Sequence, residues 1–163
     1  MGAFGTYAKK FQKIDVFQIF RDITRENDVQ KWIIEVINRR VEFTGITSDG
    51  TKLQTDSSSG GNPYSIATMN IKDYLGQRIS NVTLKDTGDF WDSFKIILLD
   101  DGFRIDADFE KKDGNIQRNF TQQYSSEKEF EDAIASLNQD EFRILVEQFY
   151  YPKFVKKVNA ILQ

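Results

Sequence analysis

One tripeptide in this chain has the residue types of a catalytic motif. Asp86-Thr87-Gly88 places a carboxylate, a hydroxyl and a flexible glycine in succession. In aspartic proteases the same tripeptide supplies one of two close carboxylates, which share a proton and activate water. The chain has a single copy, followed by Asp89-Phe90-Trp91 where those proteases have a small residue in an all-strand domain. We therefore interpret Asp86-Thr87-Gly88 as a turn without a catalytic role.

Two groups of carboxylates are the candidates for a metal site. They are Asp86, Asp89 and Asp92 in the first group and Asp100, Asp101, Asp106 and Asp108 in the second. Neither group has the loop of a calcium-binding hand. Acidic residues at a helix start are explained by the helix dipole, and those on an exposed strand face by solvation. We expect no metal and no cofactor, since the chain also lacks a phosphate-binding glycine loop and a dinucleotide fingerprint.

Composition narrows the chemistry further. The chain has no cysteine and no histidine among its 163 residues. Thiol nucleophiles, imidazole bases, Ser-His-Asp triads and ordinary zinc sites are therefore excluded. Only carboxylate, lysine, tyrosine or magnesium chemistry is left, and we expect the protein not to be an enzyme.

The charge argues against nucleic acid as a specific partner. The net charge is -3 and the pI is about 5.1, whereas nucleic-acid binding depends on clustered Lys and Arg. Short basic spots at Lys9-Lys10, Arg39-Arg40 and Lys153 to Lys157 are typical of solvated faces or helix ends. No apolar run reaches the roughly 20 residues that span a bilayer. Residues 1–13 also lack the apolar core of a secretory signal, so we expect a protein kept inside the cell until assembly.

The tripeptide leads into the strongest strand signal of the chain. Residues 94–99 are apolar, Asp101-Gly102 suits a type I′ turn, and residues 103–110 alternate apolar and charged. This pattern predicts a β-hairpin at about 94–110, with its first strand more buried than its second. Between Leu84 and Phe94, Asp86 or Thr87 is placed to cap amide groups. We expect the aromatic side chains there to turn inward; they are Phe90, Trp91 and Phe94.

Upstream of the tripeptide, the pattern is helical and then polar. Residues 1–13 are predicted to be a flexible N-terminal arm, and residues 14–163 a single α+β domain. Apolar residues from Val16 to Ile37 have helical spacing, and Asn27-Asp28 either caps a second helix or sits outside one long N-terminal helix. Residues 44–63 form a long polar loop that is expected to bury little, and either orders on a partner subunit or has no role. A helix is expected from Tyr64 to Gly76.

The last third is predicted to be helices packed on a small antiparallel sheet, while residues 111–124 have no clear pattern. Capping boxes at residues 125–129 and at Asn138-x-x-Glu141 start two helices, and Pro152 kinks or interrupts the second. Four aromatic residues surround this proline: Phe149, Tyr150, Tyr151 and Phe154. They indicate either a subunit contact or simple burial.

Together, residues 83–94 resemble a family signature. Thr83 to Phe94 is similar to the hydrophobic-x-Asp-Thr-Gly-x-Leu-x-x-Ser pattern of tailed-phage virion-morphogenesis proteins, which are neck and tail-completion proteins. The residues that carry the motif are Asp86, Thr87, Gly88, Phe90 and Ser93, with Phe90 where leucine is usual. Upstream, Gly45 to Gly50 and the run from Tyr64 through Lys72 to Gly76 look like segments of some phage relatives. Helix, loop, signature and hairpin follow the family's order over about residues 15–110, and the C-terminal helices fall outside the signature.

The resemblance implies a structural virion protein made in the cytoplasm of the host bacterium. Such a subunit would form a homo-oligomeric ring at the head-to-tail junction, contact other phage head or tail proteins, and let DNA pass through the ring. An acidic face of Asp106, Asp108 and Glu110 would let DNA slide without sticking. The alternative is a small intracellular binding or inhibitor protein that uses its acidic surface to engage a basic partner.

Overall fold

Residues 16–44 form two helices rather than one. The computed structural model describes residues 10–58, 60–84, 88–111 and 114–163. Helix α1 (Val16–Thr24) starts at Asp15, whose side chain accepts a hydrogen bond from the Gln18 N–H. Helix α2 (Asn27–Thr44) follows after a break at Arg25-Glu26. Of the two alternatives left open by the sequence, a separate second helix is therefore confirmed, although Glu26 is its N-cap residue.

The predicted N-terminal arm lies mostly in residues 1–9, outside the described residues. Its last part is tied to the other end of the chain, because the Lys10 Nζ donates to the Leu162 carbonyl at 2.7 Å. Lys13 N–H also closes a turn onto the Lys10 carbonyl.

The segment between α2 and the next helix is better packed than its composition suggests. Leu53 is 0% exposed and Thr47 1%, so the expectation that residues 44–63 bury little is wrong at these positions. Hydrogen bonds satisfy the polar groups of this packed segment. The Tyr124 hydroxyl donates to Thr47 Oγ1 at 3.0 Å, and the Ser48 N–H donates to the Ala133 carbonyl. A polar segment can thus be packed against the core when its hydrogen bonds are met locally.

Helix α3 (Ile66–Tyr74) confirms the prediction for the stretch before the tripeptide. The Ser65 side chain accepts from the Thr68 N–H at its start. Gly76 follows its end with a φ of +65°, a left-handed conformation that favours glycine.

The hairpin is present and its strands pair in antiparallel register. After a short helix α4 (Asp89–Asp92), β1 (Lys95–Leu98) runs against β2 (Phe103–Asp106), with Lys95 opposite Asp106 and Leu98 opposite Phe103. The prediction that β1 is the more buried strand is wrong. No β1 residue is fully buried, whereas β2 buries Ile105. Among the described residues this sheet has two strands, so apolar side chains on the face away from the core are half-covered.

The hairpin turn also differs from the expected type. A type I′ turn needs positive φ at both central residues. Asp100, Asp101 and Gly102 all lack it, and the Leu99 N–H donates to the Gly102 carbonyl at 2.9 Å. The turn is therefore centred on two aspartates, and these L-residues avoid the left-handed region.

The described part of residues 111–124, which have no clear sequence pattern, forms compact structure. Strands β3 (Glu110–Lys111) and β4 (Gly114–Asn115) pair, and a 3₁₀ helix (Ile116–Asn119) follows. Phe120 and Tyr124 are buried against Phe130, with ring centroids 5.0 and 5.4 Å from it.

The C-terminal helices are α5 (Glu127–Ile134), α6 (Gln139–Leu145) and α7 (Tyr151–Leu162), with a π-helical turn (Val146–Tyr150) between the last two. The capping box predicted at Asn138 with Glu141 is confirmed. At the start of α5, Ser126 caps the helix by accepting from the Glu129 N–H, but the Glu129 side chain accepts from Ser125 instead of from the Ser126 N–H, so the box predicted there is only half formed. Pro152 lies in the first turn of α7, where its missing N–H is tolerated. The helical path therefore continues past the proline.

The protein is an α+β structure with one connected core. Its centre combines the inner face of α2 with aromatics near the hairpin and with Phe130 and Ile134 of α5. A buried ion pair joins Arg40 to Glu141, and Arg40 also donates to the Ser136 carbonyl at 2.9 Å. Burial lowers the pKa of Arg40 and raises the pKa of Glu141, while the attraction between their charges opposes both changes. Within the described ranges, no helix is long and apolar enough to cross a bilayer.

Candidate functional site

The structure describes residues 83, 84 and 88–94 of the segment that resembles the signature. Residues 88–94 form a sharp change of chain direction, which we call the signature corner. Asp86 and Thr87 lie outside the described residues, so their predicted capping role stays a prediction. Gly88 has a φ of +103°, which places it in a conformation that L-residues rarely adopt. Its carbonyl accepts from the N–H groups of Trp91 and Asp92 at 2.9 and 3.2 Å. Gly88 thus starts helix α4 by its backbone.

Three aromatic side chains of this corner turn inward, as expected. Phe90 is 3% exposed, and Trp91 and Phe94 are also buried. The Phe90 ring lies 4.9 Å from Trp91, 5.2 Å from Phe94 and 5.2 Å from Phe109, measured between centroids. Phe90, which stands where the signature usually has leucine, is therefore the centre of an aromatic cluster.

Ser93 links this cluster to the segment between β2 and β3. Its Oγ donates to the Phe90 carbonyl at 2.6 Å and accepts from the Asp108 N–H at 2.9 Å. With both hydrogen bonds made to backbone atoms, Ser93 joins the end of α4 to the segment between β2 and β3. These contacts support an architectural role for the serine.

Two of the acidic residues considered as metal ligands, Asp100 and Asp106, lie in separate ion pairs. Asp100 lies 3.4 Å from Arg21, and Asp106 lies 3.2 Å from Lys95, across the hairpin. Asp108 Oδ1 accepts from the Glu110 N–H. In the part of the chain that the structure describes, no three acidic side chains come together as a candidate cation site. In the predicted acidic face of Asp106, Asp108 and Glu110, Asp106 is therefore paired with Lys95.

The aromatic residues around Pro152 divide between burial and exposure. Tyr150 is buried, and its hydroxyl lies 2.5 Å from Thr24 Oγ1. Burial raises the pKa of this phenol, and the hydrogen bond to Thr24 opposes the change. Phe149 contacts Trp32 at 5.3 Å and Phe154 contacts Phe20 at 5.7 Å, between ring centroids.

Tyr151 differs from these three, because its side chain is 67% exposed. Packing within the chain therefore accounts for most of the aromatic area at this proline. The predicted subunit contact at Phe149, Tyr150, Tyr151 and Phe154 stays a prediction, with Tyr151 as its accessible member.

Helix α3 presents an apolar surface that sequence reasoning missed. Its outer face consists of Ile66, Ile71 and Tyr74 together with the C-cap residue Leu75, all exposed; Tyr74 is 90% exposed and Ile71 61%. The side turned toward the protein carries Thr68, Met69 and Lys72, and Lys72 Nζ lies 5.1 Å from the centre of the Tyr64 ring. No residue of α3 is fully buried. The helix therefore faces solvent with the apolar side that helices ordinarily bury.

A second apolar surface is concave. This apolar groove lies where α1, the hairpin turn and the C-terminal helices meet, and it has a volume of about 280 Å³. Its apolar walls are Phe17 and Phe20 of α1, Phe103 of β2, and Phe142, Val146 and Tyr150. Arg21, Asp100 and Asp101 form its polar part. Phe17 and Phe142 are more than half exposed, so the groove is open to a partner.

A wider and more polar depression of about 700 Å³ lies beside β2. It mixes charges of both signs, among them Arg104, Lys128, Glu131 and Asp132, with apolar residues such as Leu137. The mixture gives no convergent set of groups for one ligand.

Comparisons with known proteins give no further information about these surfaces. No protein-family model matches the chain, and neither a curated protein nor a solved structure matches it.

Proposed function

We propose that this protein is a structural virion subunit of a tailed bacteriophage, a neck or tail-completion protein that forms a ring at the head-to-tail junction. The proposal combines the resemblance of residues 83–94 to the virion-morphogenesis signature with the surface of α3. In this role the protein acts by binding copies of itself and other head or tail proteins, without catalysis.

The outer face of α3 is the observation that carries the proposal. Burial of apolar surface contributes about 25 cal/mol per Å². A helix with Ile71, Tyr74 and Leu75 all exposed forgoes this contribution in the isolated chain. Contiguous apolar patches of this kind mark interaction sites on soluble proteins. In an assembly, a neighbouring subunit would cover the outer face of α3.

The signature corner supports the same role. Phe90, Trp91 and Ser93 make their contacts within the fold, and these contacts hold the hairpin against the rest of the protein. A corner fixed by such contacts suits a subunit that presents its surfaces in a fixed orientation.

Self-association and location in the particle test the proposal. Sedimentation over a range of concentrations should show oligomers of the purified chain, and antibodies should label the head-to-tail junction of virions. Ile71→Glu should shift the equilibrium toward monomer, because it places a charge in the proposed contact. Arg39→Gln changes the net charge by the same amount at an exposed position of α2 and should leave the oligomers intact.

Two results would count against the proposal. One is a protein that stays monomeric at every concentration and is absent from purified virions. The other is a monomer that co-purifies with a single basic host protein, which would favour the acidic inhibitor instead.

A further inference from the structure

Three aspartates in this chain are followed directly by glycine: Asp49, Asp101 and Asp113. Aspartate cyclises onto the main chain most readily before glycine, because glycine has no Cβ to hinder the approach of its nitrogen. Asp113 lies outside the described residues. The other two pairs have opposite environments, so the folded structure decides which of them reacts.

The pair at Asp49 is held at both reacting groups. Asp49 Oδ1 accepts from Thr47 Oγ1 at 2.5 Å and from the Thr51 N–H at 2.9 Å. The Gly50 N–H donates to the Thr47 carbonyl at 3.1 Å. Slight burial would raise the pKa of Asp49, but the hydrogen bonds from Thr47 and Thr51 prevail and lower it. Ring closure here would have to break hydrogen bonds at the carboxylate and at the amide nitrogen.

The pair at Asp101 is free at both reacting groups. Asp101 and Gly102 are exposed at the tip of the hairpin, and the ion pair of Arg21 is made with Asp100. The turn is closed by the Leu99 N–H, which donates to the Gly102 carbonyl at 2.9 Å. Within the described ranges, the Gly102 N–H donates no hydrogen bond and the Asp101 carboxylate accepts none. Nothing in the described structure therefore holds the nitrogen and the carboxyl group apart.

We propose that Asp101-Gly102 is a site of spontaneous modification, at which aspartate is converted to isoaspartate through a succinimide. The Gly102 nitrogen forms a bond to Asp101 Cγ, and the hydroxyl of the protonated carboxyl group leaves with the amide proton as water. A second water then opens the ring. Attack at the main-chain carbonyl of Asp101 breaks its bond to the Gly102 nitrogen, and the chain continues through the former side chain. Attack at Cγ restores aspartate.

The modification changes the rim of the apolar groove. Isoaspartate lengthens the main chain by one carbon atom within a turn that joins Leu98 to its partner Phe103. Asp100, Asp101, Gly102 and Phe103 all line the groove. A chain modified at Asp101 therefore presents a different hairpin tip and a displaced carboxylate at the groove. This inference does not depend on the function proposed above.

Incubation of the full chain at neutral pH, below its unfolding temperature, tests the site. Isoaspartate is quantified by methyl transfer from S-adenosylmethionine with an isoaspartyl methyltransferase, and placed by peptide mapping with electron-transfer fragmentation. It should accumulate several-fold faster at position 101 than at position 49. In the chain unfolded by urea the two rates should become similar, because the hydrogen bonds around Asp49 are lost. The peptide with position 113 is mapped separately and does not enter this comparison.

Gly102→Ala is the matched variant. A Cβ at this position has open space and the backbone lacks a positive φ, so the variant is expected to fold. It should slow the reaction at position 101 several-fold and leave the rate at position 49 unchanged. Asp101→Asn should accelerate the reaction at position 101, because ammonia then leaves in place of water. Circular dichroism checks that both variants are folded.

Two results would overturn this inference. Equal rates at positions 49 and 101 in the folded chain would mean that the hydrogen bonds around Asp49 give no protection. A folded Asp101→Asn chain that forms isoaspartate at position 101 only after unfolding in urea would mean that the hairpin prevents ring closure. Neither result bears on self-association, so the proposed function would stand or fall on its own test.

Discussion

The signature corner and helix α3 are similar in sequence character and opposite in structure. Each is a short helical element rich in large apolar residues and bordered by a glycine with positive φ, Gly88 in one case and Gly76 in the other. The corner turns Phe90 and Trp91 into the core, whereas α3 turns Ile71 and Tyr74 into solvent. The difference arises from the elements around them. The Phe90 ring meets the Phe109 ring beyond the hairpin, and nothing described in this chain covers the outer face of α3.

The comparison separates residues that maintain the fold from residues available to a partner. Mutations in the corner should change the stability of the isolated chain, and mutations on α3 should change its association. Experiments that measure both stability and association therefore test this assignment.

The largest effect is expected for Phe90→Ala. Removing a buried phenylalanine typically costs about 3–5 kcal/mol of unfolding free energy, because the lost burial is compounded by a cavity. Tyr74→Ala is the matched aromatic truncation on α3 and should change stability by no more than about 0.5 kcal/mol, the range of exposed sites. Urea unfolding followed by fluorescence measures both. Equal losses for the two variants would end the distinction between corner and helix.

Gly88→Ala comes next in expected size. A Cβ at Gly88 meets no atom within 4 Å, so its cost would come from a φ of +103° rather than from a clash. Strained backbone of this kind costs about 1–3 kcal/mol. Gly102 also has open space around a Cβ but lacks a positive φ, so Gly102→Ala should cost much less. Thermal unfolding of the pair compares them, and a similar loss at both positions would mean that the corner does not need its glycine.

A smaller effect is expected for Ser93→Ala. The substitution removes both hydrogen bonds of Ser93 Oγ, to the Phe90 carbonyl and from the Asp108 N–H. A typical net contribution of about 0.5–1.5 kcal/mol per hydrogen bond sets the scale, and solvent near Asp108 reduces it. Ser57→Ala, at an exposed hydroxyl pair with Thr55, is the control in the same unfolding assay. A neutral Ser93→Ala would show that the aromatic cluster alone fixes the corner.

The sequence predicted what local patterns determine. Alternation from Phe103 to Phe109 predicted β2 and its inward residues, and Asn138 with Glu141 predicted the start of α6. Helix α3 was predicted with the correct end at Gly76. In each case the signal and the structure lie within a few residues of each other.

The missed features depend on residues far apart in the chain. The relative burial of β1 and β2 follows from what covers a two-stranded sheet, and the pairing of Arg40 with Glu141 joins residues 101 positions apart. The outward orientation of α3 could not be assigned from its own sequence, because an apolar side of a helix is ordinarily buried and the sequence does not show which elements cover it. The same limit applied to residues 44–63, whose polar composition concealed the buried Leu53.

Asp56, in this polar segment, provides the smallest and most specific test, because it asks whether hydrogen bonds rather than apolar contacts hold a loop in place. Its carboxylate accepts from the Thr121 N–H at 2.9 Å, the Thr121 hydroxyl at 2.6 Å and the Gln122 N–H at 3.0 Å. Slight burial would raise the pKa of Asp56, but these hydrogen bonds prevail and hold it below the ordinary value. A carboxylate with a lowered folded-state pKa contributes stability above its unfolded pKa and loses that contribution as the pH falls through the folded value.

Unfolding at a series of pH values should therefore show the wild type more stable than Asp56→Asn at neutral pH. The difference should shrink once the pH falls below about 4, near the unfolded pKa of aspartate. Thr121→Val removes one donor and should reduce the neutral-pH advantage without abolishing its pH dependence. A difference between wild type and Asp56→Asn that stays constant down to strong acid would mean that the charge of Asp56 does not anchor the loop. Leu53 would then be the main attachment of this segment, and the loop would resemble the corner, held by apolar burial.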